Sequence, residues 1–201
     1  MAVLTKQNTA VQICKICYFY ENRKLSPKAL ISIAKKSDAE AIVNYYNQLS
    51  EASKQKFAPH SFTTAYLEEQ ILESKEYIIL IAKDIATNKV IGYAITQLWV
   101  FDYDILRWGN YGQSIRNEYK QYACFAPSVA DAAQHTGIGH QLLEHSIAEL
   151  KAKGYSYILL WGGVKCTNIP AVRFYFKNDF KLMGHFDYEG GNYDMLLTID
   201  K

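Results

Sequence analysis

Cysteine, proline and unbalanced charge are all scarce in this 201-residue chain, and each scarcity excludes a class of protein. Cys14, Cys17, Cys124 and Cys166 contain only one close pair, Cys14 with Cys17. A structural zinc site needs a second pair or suitably spaced histidines, and a redox dithiol needs a thioredoxin-like setting that the neighbouring sequence does not supply. The cysteines therefore read as structural or incidental. With 22 Lys and Arg against 20 Asp and Glu, the net charge of +2 falls well short of that of a dedicated nucleic-acid binder. No apolar run approaches the roughly 18 residues of a membrane span, and the first residues lack the ordered charged, apolar and cleavage regions of a signal peptide. The expectation is a cytoplasmic protein that engages neither nucleic acid nor membrane.

What is present is a globular composition: 49% apolar, 14% aromatic and 21% charged residues. A chain of this length can bury roughly 70% of its unfolded surface and needs no disulfide or metal for stability. No repeat or Gly/Ser/Pro-rich linker divides it, so residues 1–201 read as a single domain, with 1–27 an extension of uncertain structure. Pro27, Pro59, Pro127 and Pro170 read as element boundaries, because the residue before a proline is biased out of the helix.

Hydrophobic periodicity gives the element order. Leu30 to Ala34 reads as a short strand, and Ser37-Asp38-Ala39-Glu40 as a capping box that opens a helix through Ile42, Val43, Tyr46 and Leu49. A second helix is expected over Thr63 to Leu72. Tyr77 to Ala82 and Val90 to Val100 form a hairpin around the turn-forming Asp84 to Lys89. Residues 101–121 are irregular and aromatic. Tyr122 to Val129 is a strand, and Ile138, Leu142, Leu143, Ile147 and Leu150 mark a helix that stops near Gly154. Tyr155 to Trp161 is a buried strand, Pro170 to Phe176 a helix with proline near its first turn, and Phe180 to His185 and Tyr193 to Ile199 are closing strands. The order β-α-α-β-β-β-α-β-α-β-β describes a mixed α/β domain.

The stretch that carries chemistry is Val129-Ala-Asp-Ala-Ala-Gln134-His-Thr-Gly137-Ile-Gly139, between a strand and an amphipathic helix. Glycine there lets a ligand approach the backbone, and the first N–H groups of the helix point at whatever lies at its end. An anion, most naturally a pyrophosphate, is the expected guest. The stretch has neither the G-x-G-x-x-G of a dinucleotide site nor the Lys-Ser/Thr of a P-loop, and plain turn geometry is the competing explanation.

With Gln134, Gly137 and Gly139 in this pattern, the sequence resembles the GCN5-related N-acetyltransferase (GNAT) family, whose signature is Gln/Arg-x-x-Gly-x-Gly/Ala between a strand and a helix. Asn168-x-x-Ala171-x-x-Phe174-Tyr175-x-x-x-x-Phe180 resembles the second recurring pattern of that family. The resemblance is clearest over residues 120–186. It implies a mixed, mostly antiparallel twisted sheet flanked by helices, with acyl-CoA bound where the central strands splay. It further implies that acetyl-CoA is the acyl donor and that the acetyl group passes directly to a primary amine. The near-zero charge favours neither a polyanion nor a strongly acidic peptide, and the expectation is a small-molecule acceptor, with a protein amine as the rival, and no metal. Gln134, His135, Thr136, Gly137, Ile138 and Gly139 would hold the pyrophosphate through backbone N–H groups, Val129 would pair with the pantetheine arm, and Asn168 would steady the cofactor. Tyr175 would protonate the departing thiolate. A homodimer stays open, as does a non-catalytic acyl-CoA-binding regulatory module on the same fold.

The chain departs from the family pattern at three places. Pro127 stands where a backbone N–H often polarises the thioester carbonyl in the family, which leaves three alternatives: a neighbour such as Ser128 substitutes, the strand is bulged differently, or the enzyme does not rely on such a donor. Asp131 replaces a frequent proline, and Asp179 a frequent glycine, the latter a mild change because Asp tolerates left-handed backbone. No general base announces itself; Glu118, Asp102, Asp104, His60 and a water are the candidates. Steps of five residues turn His135, His140 and His145 onto different faces of a helix, which argues against a metal site. Trp99, Phe101, Tyr103, Trp108 and Tyr111 could wall an acceptor pocket or pack a lid. Cys124 and Cys166 are expected to take no acyl group.

Overall fold

The computed structural model describes residues 28–111 and 121–199. Cys14, Cys17, Glu118 and the extension 1–27 lie outside the described residues.

Strand β1 (Ala29–Ile33) is followed by a 3-10 turn, Lys36–Asp38, and helix α1 (Ala39–Asn47). The helix does not start from the Ser37 capping box. Asp38 takes that place, accepting from the Lys35 backbone N–H at 2.8 Å and from Lys83 Nζ at 2.7 Å. A short helix that the sequence pattern did not reveal, α2 (Glu51–Lys54), begins at Ser50, whose hydroxyl accepts from the Ser53 N–H. Thr63 caps α3 (Thr64–Tyr66), which runs into a π-helical turn over Leu67–Ile71.

Strands β2 (Tyr77–Asp84) and β3 (Val90–Gln97) form the expected hairpin. The segment read as irregular contains helix α4 (Asp102–Gly109), held because Trp108 is buried against the sheet. Strand β4 (Tyr122–Val129), helix α5 (Ile138–Ala152), strand β5 (Tyr157–Leu160) and helix α6 (Ile169–Lys177) follow as the pattern predicts. A two-residue strand, β6 (Val164–Lys165), was not legible in the pattern; β7 (Lys181–Asp187) and β8 (Gly191–Thr198) close the sheet.

The sheet runs β1-β2-β3-β4-β5-β8-β6, with β7 on the other side of β8. Its pairings are antiparallel except for β4 with β5. Side-chain alternation divides the core between two faces. Leu80, Ala94, Phe125, Ile158 and Met195 face α5 and α6. Ile79, Ile81, Tyr93 and Ile95 face α1 with Ile42 and Tyr45, while Cys124 and Leu159 on the same face lie under Trp108. Because both faces are covered, β2 is apolar without a break from Tyr77 to Ala82.

Helix α5 lies close on the sheet because residue 92 has no side chain. A Cβ there would stand 3.0 Å from Ile138 Cγ2 and 3.2 Å from Leu142 Cδ1. That contact seats the first turn of α5 directly over β3.

Candidate functional site

Strands β4 and β5 pair only from Tyr122 with Tyr157 to Phe125 with Leu160. One further bond, from the Trp161 N–H to the Phe125 carbonyl at 3.1 Å, closes the ladder. Beyond it β4 continues to Val129, paired with β3 alone, and the strand passes from buried at Tyr122–Phe125 to half-buried over the next four residues. The central sheet thus opens into a gap whose apex is Trp161 against Phe125.

Pro127 sits inside β4, not at an element boundary as its sequence context suggested. The reason is its direction. The Phe125 carbonyl points at β5 and the Ala130 N–H at the Ile91 carbonyl, 2.9 Å away on the β3 side. Main-chain groups alternate along a strand, so those of residues 125, 127 and 129 face the gap. A proline at 127 costs the β3–β4 ladder no hydrogen bond.

At the far end of the gap the chain turns through Asp131–Ala133 into α5. Gly137 is the N-cap residue with φ +89, and His135 has φ +64. Among the described residues no side chain caps the helix, so its first N–H groups are left for another acceptor. Thr136 Oγ1 donates to the Ala133 carbonyl at 2.6 Å, and Gln134 Nε2 reaches the gap-facing Val129 carbonyl at 3.4 Å. Left-handed backbone beside an uncapped helix start is a concave set of N–H groups suited to an anion. Asp131 fixes the approach to this turn. It accepts from the Ser50 N–H at 2.8 Å and from Ser53 Oγ at 2.5 Å, and the Ser53 hydrogen bond leads in holding its carboxyl below the usual range.

The second sequence pattern lies against the first. A Cβ at Gly139 would stand 3.3 Å from Phe174 Cε2, so α6 touches the turn directly. Tyr175 follows Phe174, buried to 7% exposure, with ring centroids 5.2 Å from Phe174 and 5.1 Å from Phe180. Burial pushes its phenol well above the ordinary range, so the hydroxyl stays protonated. Asn168 is half-buried at the N-terminus of α6, where its side chain makes no cap, and Pro170 occupies the first turn. Asp179 has φ +63, the left-handed geometry its place in the pattern requires.

On the α1 face, two hydroxyl pairs line β3 and β4 beside the gap. Tyr45 OH donates to Ser128 Oγ at 2.8 Å, and directly across the ladder from Ser128, Tyr93 OH meets His60 Nε2 at 2.7 Å. His60 Nδ1 lies 2.8 Å from the Ser61 carbonyl, which can only accept, so Nε2 is the acceptor for the Tyr93 hydroxyl. Burial lowers the His60 pKa below 6.5, against the opposing effect of the Ser61 bond, and the ring is neutral at pH 7. Neither pair was legible in the sequence.

The remaining base candidates separate clearly. Asp102 is exposed, whereas Asp104 is buried and ion-paired to Arg107. The expected aromatic wall also divides. Trp108 is a core residue, and Tyr111 donates to Asp194 at 2.9 Å. Trp99, Phe101 and Tyr103 form a run of rings, at 4.3 Å and 4.9 Å, that reaches Trp161 through Phe101. Tyr77 stacks on Trp161 at 6.2 Å. Among the described residues no group of His, Cys, Asp and Glu is arranged to hold a metal ion.

A gap between parallel central strands, ending at an uncapped helix start, has a counterpart among known proteins. The model of the Acetyltransferase (GNAT) family matches residues 42–180. The chain belongs to the GNAT acetyltransferase family. It is accordingly an acyl-CoA-dependent N-acyltransferase, and its mixed, mostly antiparallel sheet flanked by helices is the GNAT fold. The GNAT domain of S. lividans PAT is 20% identical over 85% of this chain and 90% of its own, with a TM-score of 0.66. The putative acetyltransferase yncA from Salmonella typhimurium, solved with its cofactor acetyl-CoA, is 20% identical over 87% of this chain and 95% of its own, at 0.62. The aminoglycoside acetyltransferase AAC(6')-Ib in complex with coenzyme A is 18% identical over 85% and 95%, at 0.61. Likenesses at this identity carry the fold alone. Among curated proteins no sequence matches this GNAT chain. Among its described residues no helix is long and apolar enough to cross a membrane.

Proposed function

We propose that this GNAT enzyme transfers the acetyl group of acetyl-CoA directly to the primary amine of a small molecule. The observation that carries the reading is the gap beyond Phe125 leading to the uncapped, left-handed turn at Gly137. The turn fits a pyrophosphate, which the N–H groups of Gln134, His135, Thr136, Gly137, Ile138 and Gly139 would hold. Val129, whose main-chain groups face the gap, would bond the pantetheine amide as an added strand does, and Asn168, unused as a cap, would steady the same arm.

Attack by a neutral amine on the thioester carbonyl forms the C–N bond and places charge on oxygen. As the C–S bond breaks, the electron pair leaves on sulfur and the protonated Tyr175 hydroxyl is the donor assigned to it, while the surplus proton on nitrogen passes to water, from which the Tyr175 phenolate is reprotonated. A covalent acyl-cysteine route is disfavoured because burial pushes the Cys124 thiol far above its ordinary range, and the thiolate is the nucleophile. For the acceptor, the rings of Trp161, Phe101, Trp99 and Tyr103 supply flat faces on the α1 and α4 side of the gap, which favours an amine carrying an apolar or aromatic group.

The test is turnover of isotopically labelled acetyl-CoA with a panel of small primary amines, aromatic, aliphatic and sugar-derived, alongside lysine peptides. N-acetylation of an aromatic or apolar small amine in preference to the peptides is the expected result. Preference for the peptides overturns the acceptor class. Absence of any N-acetyl product while acetyl-CoA binds overturns the catalytic reading.

A further inference from the structure

The gap places a specific demand on the residues that line it. When an amine attacks a thioester, the carbonyl π electrons move to oxygen, and a hydrogen-bond donor already aimed at that oxygen lowers the barrier. Main-chain donors along β4 cannot meet this demand near the apex. Of the gap-facing residues, Phe125 is still paired with Leu160 in the β4–β5 ladder, and Pro127 has no N–H. The next gap-facing N–H belongs to Val129, about 13 Å along the strand from Phe125 at the usual rise per residue.

We propose that the Ser128 hydroxyl is the donor to the thioester carbonyl oxygen and that Tyr45 is the residue that positions it; this inference rests on the acetyl-transfer reading above. Ser128 is half-buried, next to Pro127, in the part of β4 that has lost its β5 partner. Its side chain points to the α1 face, together with Ala126 and Ala130, which pack on the same cluster as Tyr45. Tyr45 is only 3% exposed and anchored in that cluster, and its hydroxyl donates to Ser128 Oγ at 2.8 Å. A serine oxygen that accepts one hydrogen bond keeps its own proton to donate. Burial holds the Tyr45 phenol protonated, so at neutral pH it keeps the proton that it donates to Ser128. No proton leaves Ser128 in the step. The hydroxyl bonds the oxygen as charge grows there and releases it when the C–S bond breaks.

The test needs no knowledge of the acceptor. Acetyl-CoA labelled with carbon-13 at the thioester carbonyl is bound to the wild type, Ser128→Ala, Ser128→Thr and Tyr45→Phe, binding is confirmed by calorimetry, and the carbonyl stretch is read by isotope-edited infrared spectroscopy. A hydrogen bond lowers that frequency. The expected result is a lowered band in the wild type and Ser128→Thr, a band near the free-ligand position in Ser128→Ala, and a broadened band shifted part of the way in Tyr45→Phe. With an acceptor in hand, Ser128→Ala loses about a hundredfold in single-turnover rate, and Tyr45→Phe loses kcat at unchanged KM for acetyl-CoA. Identical bands in the wild type and Ser128→Ala, with ligand bound to both, overturn the role of Ser128 and leave the cofactor reading standing. A band in Tyr45→Phe identical to that of the wild type removes Tyr45 as the positioning residue. Failure of the wild type to bind acetyl-CoA overturns both readings.

Discussion

Arg107 Nε donates to Asp194 Oδ2 at 2.6 Å and so ties α4 to β8 across 87 residues of sequence. The same guanidinium bonds Asp194 Oδ1 at 2.9 Å and Asp104 Oδ1 at 2.5 Å, and lies 4.1 Å from the centre of the Phe186 ring. The Asp104 and Asp194 side chains are 4% and 1% exposed, so among the described residues a single cation serves two buried carboxylates.

Removing that cation leaves both carboxylates uncompensated. Arg107→Ala is expected to cost about 3–5 kcal/mol in urea unfolding at pH 7. Burial already raises the Asp104 pKa in the presence of Arg107. A carboxyl whose folded pKa lies above its unfolded value favours the folded state as pH falls toward the unfolded value. The deficit of the variant is therefore smaller at pH 5 than at pH 8; an equal deficit at both would show that the carboxylates do not set the cost.

His60 gives a pH dependence of opposite sign. Its folded pKa lies below 6.5 because of burial, so the unfolded chain binds the proton first. Its contribution is fully present above pH 6.5 and is lost as pH falls through 6.5 toward the folded pKa, at no more than about 1.4 kcal/mol per pH unit. His60→Asn should flatten the stability profile in that window, and unfolding midpoints measured at half-unit steps from pH 7.5 to 5 check it.

Gly137→Val combines a backbone penalty with disruption of the turn proposed to hold the pyrophosphate. At φ +89 a branched residue is strained even though a Cβ would touch nothing within 4 Å. The expected outcome is about 1–2 kcal/mol of destabilisation and at least about a tenfold loss in CoA affinity by calorimetry. Gly137→Asn, which tolerates left-handed geometry, should keep more of both. CoA affinity unchanged in a folded valine variant would remove the turn from the cofactor site.

Tyr175→Phe deletes one hydroxyl from a ring that keeps its contacts with Phe174 and Phe180. Single-turnover acetyl transfer should fall about a hundredfold with CoA affinity nearly unchanged, because the lost interaction develops in the transition state. Wild-type rates in the variant would take Tyr175 out of the mechanism.

The parts of the fold that were legible in sequence are those specified by local signals. Leu142, Leu143 and Leu150 at helical spacing gave α5, Pro170 gave the start of α6, and β-branched runs around Asp84 to Lys89 gave the β2–β3 hairpin. Helix α4 was not legible, because it is held by distant partners, Asp194 for Arg107 and the sheet for Trp108. Asp38 displaced the Ser37 capping box for a similar reason, being bound by Lys83 from β2. In the site, the Gln134 to Gly139 turn was readable because consecutive residues build it. The Tyr45–Ser128 and His60–Tyr93 pairs each join residues dozens of positions apart, and only the packing of α1 and of the loop after α2 on the sheet brings them together.

The opening in the sheet also bears on association between molecules. A strand that loses its neighbour midway offers its free edge to any extended segment of another chain, the usual beginning of strand addition and aggregation. Over residues 126–129 that edge is blunted, since Pro127 offers no N–H and the Gln134 side chain covers the Val129 carbonyl. A foreign strand would find the first rung of its ladder missing. On the proposed reading a short amide-bearing ligand would need only the Val129 groups and the displacement of one long, exposed side-chain bond, so the gap would favour such a ligand over a peptide strand.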